Sequence, residues 1–201
     1  MDRLWELDQT LFRQIHLGWH RDWLDPVFWV LSTSGLGSVQ SLALLGLIWF
    51  VWRNRPQDRT PLALFIAFTI AGLINTAFLK NLVPRERPSL LADTIPQETF
   101  FHDSFPSGHT ATSFGIAAML LLLTIKGPRA WAGWLAMIWA ALVGLSRIYR
   151  GVHWPSDVIA GALIGLAAAC LVYLVFDPLF LKVWRVSTEE NSAEKALSAR
   201  G

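Results

Sequence analysis

The chain has 201 residues, 53% of them apolar and only 16% charged, with a mean hydropathy of +0.40. A globular domain carries about a quarter charged residues, so the composition excludes an ordinary soluble domain, and eleven tryptophans fit a chain that meets membrane interfaces. A net charge of +2 gives no footing for a nucleic-acid partner, and the single cysteine, Cys170, excludes an intrachain disulfide.

Residues 1–22 hold charges throughout and no continuous apolar run, so they are not expected to act as a secretory signal. Leu4, Leu7, Leu11, Ile15 and Trp19 recur at helical spacing, with Arg3, Asp8, Arg13 and His16 between them. The pattern predicts an amphipathic helix, lying either in the membrane interface or against the bundle as an ordinary exposed helix. Two short apolar runs come next, 23–34 and 38–52, separated by Gly35-Leu36-Gly37. They read as two helices joined by a tight turn, with one long kinked span as the alternative. A membrane-crossing helix needs roughly 20 apolar residues. The runs at 61–79, 107–125 and 158–176 come close, and 130–145 is shorter but uniformly apolar.

The expected fold is therefore an all-α integral membrane protein, a six-helix transmembrane bundle with an N-terminal amphipathic interfacial helix. One transmembrane domain covers 23–185. The polar tail at 186–201 has no packing pattern and is expected to be disordered and cytoplasmic. On one side of a six-span bundle lie Arg53, Arg55, Arg59, Lys126, Arg129, Lys182 and Arg185. On the other lie Lys80, Arg85, Arg87, Arg147 and Arg150. The positive-inside rule places the first set in the cytoplasm, and the bias sharpens to seven against two once Lys80, Arg87 and Arg147 are assigned to chemistry. The location expected is the plasma (inner) membrane, multi-pass. The connection 81–106 has a length that usually marks function. Leu90, Leu91, Phe100, Phe101 and Phe105 make it apolar enough to rest on a membrane or close over a lipid.

Three polar clusters fall at helix ends on the outer side: Lys80 with Arg87-Pro88, then Pro106-Ser107-Gly108-His109, then Ser146-Arg147 with His153 and Asp157. Each has a plain structural explanation. Lys80 can snorkel, Ser107 can cap a helix, and Pro155 suits a first helical position. A lone histidine at a helix end is more often structural than catalytic. Together they make a different object. Three cations and two histidines converge on one face beside helix N-termini, whose free N–H groups and positive dipole ends bind phosphate. Gly108 admits close backbone approach. Two arginines give forked recognition and the lysine a point charge. This is a site for a tetrahedral dianion.

These clusters resemble the signature of the type-2 phosphatidic acid phosphatase superfamily, the lipid phosphate phosphatases, whose active site the vanadium haloperoxidases share. The pattern K-x6-R-P, P-S-G-H and S-R-x5-H-x3-D is met at all eleven specified positions between Lys80 and Asp157. The resemblance implies that His153 is the nucleophile and that Asp157 accepts its other ring N–H. It implies that His109 protonates the leaving oxygen and then activates water. Lys80, Arg87, Ser107, Gly108 and Arg147 would hold the phosphoryl group. No metal and no cofactor are implied. The partners expected are a lipid phosphate substrate and membrane lipids, with no obligatory protein partner. Undecaprenyl diphosphate and phosphatidylglycerol phosphate rank above phosphatidic acid as substrates. A binding or transport protein with an inert site needs only the cations, so the complete His109, His153 and Asp157 set counts against it. Six apolar spans count against haloperoxidase chemistry. His16, His20 and His102 match no motif and stay unassigned.

Overall fold

The computed structural model describes residues 2–98 and 103–175, and every regular element among them is helical. In chain order these are α1 (Asp2–His16), α2 (Asp25–Ser34), α3 (Gly37–Asn54), α4 (Thr60–Leu82), a short 3-10 helix (Pro88–Leu90), α5 (Gly108–Thr124), α6 (Ala130–Tyr149) and α7 (Pro155–Val175). The tail expected at 186–201, and Phe100, Phe101 and His102 of the apolar connection, lie outside the described residues.

Three helices, α4, α6 and α7, are long and apolar enough to cross a membrane, and α5 is a shorter apolar helix. The helices α2 and α3 pass the same test only as a pair, bent by 58° at their break. With 10 residues, α2 is about 15 Å long, half of a hydrocarbon core of roughly 30 Å. It cannot cross alone. Its contacts describe a single descent along the bundle. Asp25 accepts a 2.7 Å hydrogen bond from the Tyr149 hydroxyl at the end of α6, and Trp139 Nε1 donates to Ser34 Oγ at 2.9 Å. Gln40 Nε2 then donates to Ser113 Oγ at 2.7 Å, and Leu44 packs with Leu64, Met119 and Val172. Gly35 sits against Val143 and the His109 ring. The expected runs at 23–34 and 38–52 do form two helices with a break between them, and together they are long and apolar enough for one bent span. At the break Gly35 is buried, while 36–38 are exposed and Gly37 lines the cavity described below.

Outward faces are apolar: Leu42, Leu45 and Trp49 on α3, Trp131 and Ile138 on α6, Leu163, Leu171 and Leu174 on α7. Surfaces of this kind are stable against hydrocarbon and not against water. Exposed tryptophans mark both ends of the slab, Trp49, Trp52, Trp131 and Trp134 at one and Trp5, Trp19, Trp23 and Trp29 at the other.

Two details bring the motifs together. A Cβ at Gly161 would lie 2.5 Å from the Ser107 carbonyl oxygen, and one at Gly165 would crowd that of Ala111 in the same way. Only glycine lets α7 meet the backbone of α5 so closely, in the small-residue manner of membrane helix pairs. At the end of α6, Gly151 takes φ +75. Its N–H reaches Ile148 O at 3.0 Å and the Val152 N–H reaches Arg147 O at 3.1 Å. This is a Schellman stop, which satisfies the last carbonyls and reverses the chain at a residue without a Cβ. The reversal delivers His153.

The helix α1 packs one face on the bundle. Phe12 is fully buried against Trp154 and Ile148. Leu4, Leu7 and Leu11 remain exposed on its other face. Asp8 and His16, which the pattern placed among solvated residues, are buried.

Candidate active site

One cavity of about 560 Å³ is lined by Lys80, Arg87, Gly108, His109, Arg147 and His153. Six of the eight expected site residues therefore share a wall. Its remaining lining comes from Gly37, from Phe68, Thr69, Gly72, Leu73 and Thr76 of α4, and from Thr112. A charged end thus meets an apolar, small-residue end.

Asp157 lies behind this wall. It is the third residue of α7, and it accepts the backbone N–H of Trp154 at 2.9 Å. An acid three residues into a helix reaching back to the residue at its start is half of a capping box. The same Oδ2 faces His153 Nδ1 at 3.3 Å, slightly long for an N–H···O bond, and accepts from Ser104 Oγ. Oδ1 accepts from Arg85 Nη1 at 2.6 Å. The other ring nitrogen of His153, Nε2, lies 3.4 Å from Arg87 Nη1. Burial first, and then the charges of Arg147 and Arg87 against the opposing pull of Asp157, push His153 down to about 4. These surroundings favour the uncharged imidazole at neutral pH.

Arg87 is buried and braced by Val152 O at 2.9 Å and Asp103 O at 3.2 Å. Lys80 ends a π-helical turn, Ile74–Leu79, within α4. Such turns insert an extra residue, which rotates the next stretch of helix about its axis, and they recur at functional sites. Gly108 begins α5, with a Cβ there 3.4 Å from Asn75 Oδ1. His109 is the next residue, and its buried Nε2 has no hydrogen-bond partner among the described residues.

Two expected phosphate contacts sit differently. Ser107 does occupy the N-cap of α5 but makes no side-chain cap bond. Its hydroxyl is fully buried and accepts from Thr110 Oγ1 at 2.9 Å, while its N–H donates to Asp157 O at 3.1 Å. It fastens α5 to α7 behind the cavity. Arg147 lines the cavity, but Nη1 and Nη2 donate to Glu98 at 3.1 and 2.9 Å, and Nη1 also to Ser32. The fork assigned to phosphate is held by a carboxylate. Arg150 Nε joins the same Glu98 at 2.6 Å. Burial pushes the Glu98 carboxyl up, but Arg147 and Arg150 overrule it and hold it at about 2.

Three residues escaped the sequence reading: Arg85, Ser104 and Glu98. Arg85 sits two positions before Arg87, inside the spacer of the first motif. Glu98 is one of four acids in the 81–106 connection, with Glu86, Asp93 and Asp103, and nothing in its sequence neighbourhood singles it out. His16 gains a structural role, with Nδ1 on Tyr149 O at 2.7 Å and Nε2 accepting the Ile95 N–H at 3.0 Å. His20 groups with Asp22 and Asp25 at metal-ligand spacing, but none of the three lines the cavity.

Residues 60–180 match the family model described as PAP2 superfamily. A protein of Bacillus licheniformis named bacitracin transport permease protein BcrC is 32% identical over 173 residues, covering 84% of this chain and 80% of that one. The putative undecaprenyl-diphosphatase YbjG of Escherichia coli is 28% identical over 167 residues, covering 80% and 81%. The crystal structure of a transmembrane PAP2-type phosphatidylglycerolphosphate phosphatase from Bacillus subtilis shares the fold, with a TM-score of 0.76 at 23% identity over 89% of this chain and 88% of that one. The family match contains every motif residue from Lys80 to Asp157 and spans more than half of the chain, so this protein belongs to the PAP2 superfamily.

Proposed function

We propose that this membrane phosphatase hydrolyses a lipid phosphate or diphosphate in two steps through a phosphohistidine at His153. The observation that carries the reading is the placement of the two ring nitrogens of His153, with Nδ1 toward Asp157 and Nε2 beside Arg87 at the cavity wall. In the first step the Nε2 lone pair attacks phosphorus, and the bond from phosphorus to the lipid oxygen breaks opposite it. His109 gives that oxygen a proton. In the second step His109 takes a proton from water, the hydroxide oxygen bonds phosphorus, and the N–P bond breaks to release phosphate. Asp157 holds the Nδ1 proton throughout and stabilises the charge that develops on the ring. Lys80, Arg87 and the Gly108 N–H stabilise the equatorial oxygens, and Arg147, its fork held by Glu98, adds its charge from the cavity wall.

The apolar end of the cavity suits a lipid chain. The Escherichia coli relative's name favours undecaprenyl diphosphate, and the Bacillus subtilis structure favours phosphatidylglycerol phosphate. Phosphatidic acid ranks third. The name of the Bacillus licheniformis relative points to transport. Phosphate release from a panel of these lipids by purified protein decides between the readings, since a transporter with an inert site releases none.

No metal takes part in this scheme. Two carboxylates beside the cavity are already paired, Asp157 with Arg85 and Glu98 with Arg147 and Arg150. Activity is expected to persist in EDTA and to be inhibited by vanadate, which adopts five coordination and resembles the in-line transition state. An absolute Mg²⁺ requirement would overturn the three-cation account.

The topology we propose is five crossings, with α2 and α3 as one, α1 in the outer interface with its leucines toward lipid, and the site facing outward. Placing α1 on the site side adds Arg3, Arg13 and Arg21 there, so the raw cation count no longer favours either side. The bias returns once chemistry and pairing are considered. Lys80, Arg87 and Arg147 line the cavity, and Arg85, Arg150 and Arg13 are ion-paired. Arg3 and Arg21 are left against the seven. Cysteines at exposed Ala92 and Gln57, in a Cys170→Ala background, test this with a membrane-impermeant thiol reagent on intact cells. Ala92→Cys is expected to label; labelling of Gln57→Cys alone inverts the topology.

A further inference from the structure

A buried acid on α1 has no part in the scheme above. Asp8 is 6% exposed. Its Oδ2 accepts from Arg85 Nη2 at 2.5 Å and from Ser156 Oγ at 2.5 Å, and its Oδ1 accepts the Ser156 N–H at 2.8 Å. The same guanidinium turns Nη1 to Asp157 at 2.6 Å and to Ser156 Oγ at 2.6 Å. Trp5 of α1 and Trp154 lie 5.1 and 5.5 Å from its central carbon and hold its faces. Packing of α1 is already served by Phe12, and a buried ion pair is weak support for stability. We infer that Asp8 and Arg85 are positioning residues for catalysis: α1 clamps Arg85, and Arg85 fixes the carboxylate of Asp157 on His153. The inference rests on the phosphohistidine reading.

The physical argument concerns orientation and charge. Asp157 has to present Oδ2 to Nδ1 of His153. Arg85 on Oδ1 sets the rotation of the carboxylate, and it also shares the carboxylate's charge. His153 faces Asp157 from α7, Arg87 from the connection, Arg147 from α6, and His109 and Lys80 across the cavity. Without Arg85 the full charge of Asp157 falls on the imidazole and favours its protonated form. The nucleophile is then lost at a higher pH than in the wild type.

The test uses the purified full chain with p-nitrophenyl phosphate, whose own titration is common to all variants. Arg85→Gln is expected to lower kcat by up to about a hundredfold, the cost of a small misplacement, and to move the acid limb of kcat/KM upward by about one pH unit. Arg85→Lys keeps the charge and is expected to recover the limb. Asp8→Asn is expected to lower kcat about tenfold with KM unchanged, since Asp8 touches no substrate, and to add nothing in an Arg85→Gln background. Three results would overturn the inference: wild-type kcat in folded Asp8→Asn, fully additive losses, or an unmoved acid limb in Arg85→Gln. If either charge-removing variant does not fold, Arg85→Lys decides through kcat, since lysine cannot span both carboxylates and a wild-type kcat there sinks the clamp. His153→Ala run alongside separates the two ideas. Residual turnover there removes the phosphohistidine reading, whereas a dead His153→Ala with an unaffected Arg85→Gln removes only the clamp.

Discussion

His153→Ala is expected to form no phosphoenzyme and to turn over neither lipid nor aryl phosphate, whereas His109→Ala is expected to be phosphorylated by p-nitrophenyl phosphate and then to stall. The difference comes from the leaving groups. A lipid alkoxide, the leaving group when the substrate is a phosphate monoester such as phosphatidylglycerol phosphate, is poor and needs the His109 proton. A nitrophenolate is a good one and scarcely does. General acid–base assistance is worth about 10²–10⁴-fold, so His109→Ala loses the first step on lipid by that order and keeps it on the aryl ester. Its second step lacks a base for water, and the covalent intermediate accumulates. Rapid quench and mass spectrometry are expected to find acid-labile phosphate on His153. Phosphate trapped elsewhere, or aryl turnover by His153→Ala, would show that the nucleophile is misassigned. The site's geometry favours the assignment from both sides, because His109 Nε2 is buried without a partner among the described residues and borders the same cavity as His153.

Legibility in the sequence divides by the range of the physics. The helix N-termini at Gly108 and Pro155 were legible because capping chemistry is local: Ser107 precedes one, and Pro155 with Asp157 opens the other. The same holds for the convergence of Lys80, Arg87, His109, Arg147 and His153, since antiparallel helices bring their alternate ends together. The course of the chain through the α2–α3 break was less legible. Gly35-Leu36-Gly37 marks a break, but whether the chain turns back or continues depends on Tyr149, Trp139 and Ser113, which lie more than 70 residues away. The π-turn before Lys80 left no compositional trace in a run that is apolar throughout. Arg147 was assigned its chemistry but not its partner, because Glu98 meets it across 49 residues of chain. Asp8 was read as one of the solvated residues between apolar ones, and only the fold shows that a cation, Arg85, waits opposite it. Long-range pairing of charges, unlike periodicity, has no signature within a window.

Asp157→Asn is expected to cost about 10⁴-fold in kcat, as the loss of the third member of a triad does, and here the reason is over-determined. Four donors converge on the carboxylate: Arg85 on Oδ1, and Ser104, the Trp154 N–H and His153 Nδ1 on Oδ2. An asparagine offers one acceptor oxygen and one NH₂. With the oxygen toward His153, the NH₂ meets the Arg85 guanidinium, donor against donor. With the oxygen toward Arg85, the NH₂ meets the Trp154 N–H and forces the imidazole into the tautomer that carries its proton on Nε2, where the attack on phosphorus has to start. Either orientation fails, one through positioning and one through tautomer. Substrate affinity should change far less than kcat, because Lys80, Arg87 and Gly108 line the cavity in which the proposed scheme puts the phosphate and Asp157 does not. A burst experiment with p-nitrophenyl phosphate separates these outcomes. Phosphoenzyme formation at the wild-type rate in folded Asp157→Asn would mean that His153 needs no oriented partner. A slow first step with near-normal saturation would mean that the carboxylate's work is done on the ring of His153 before the substrate's bond begins to break.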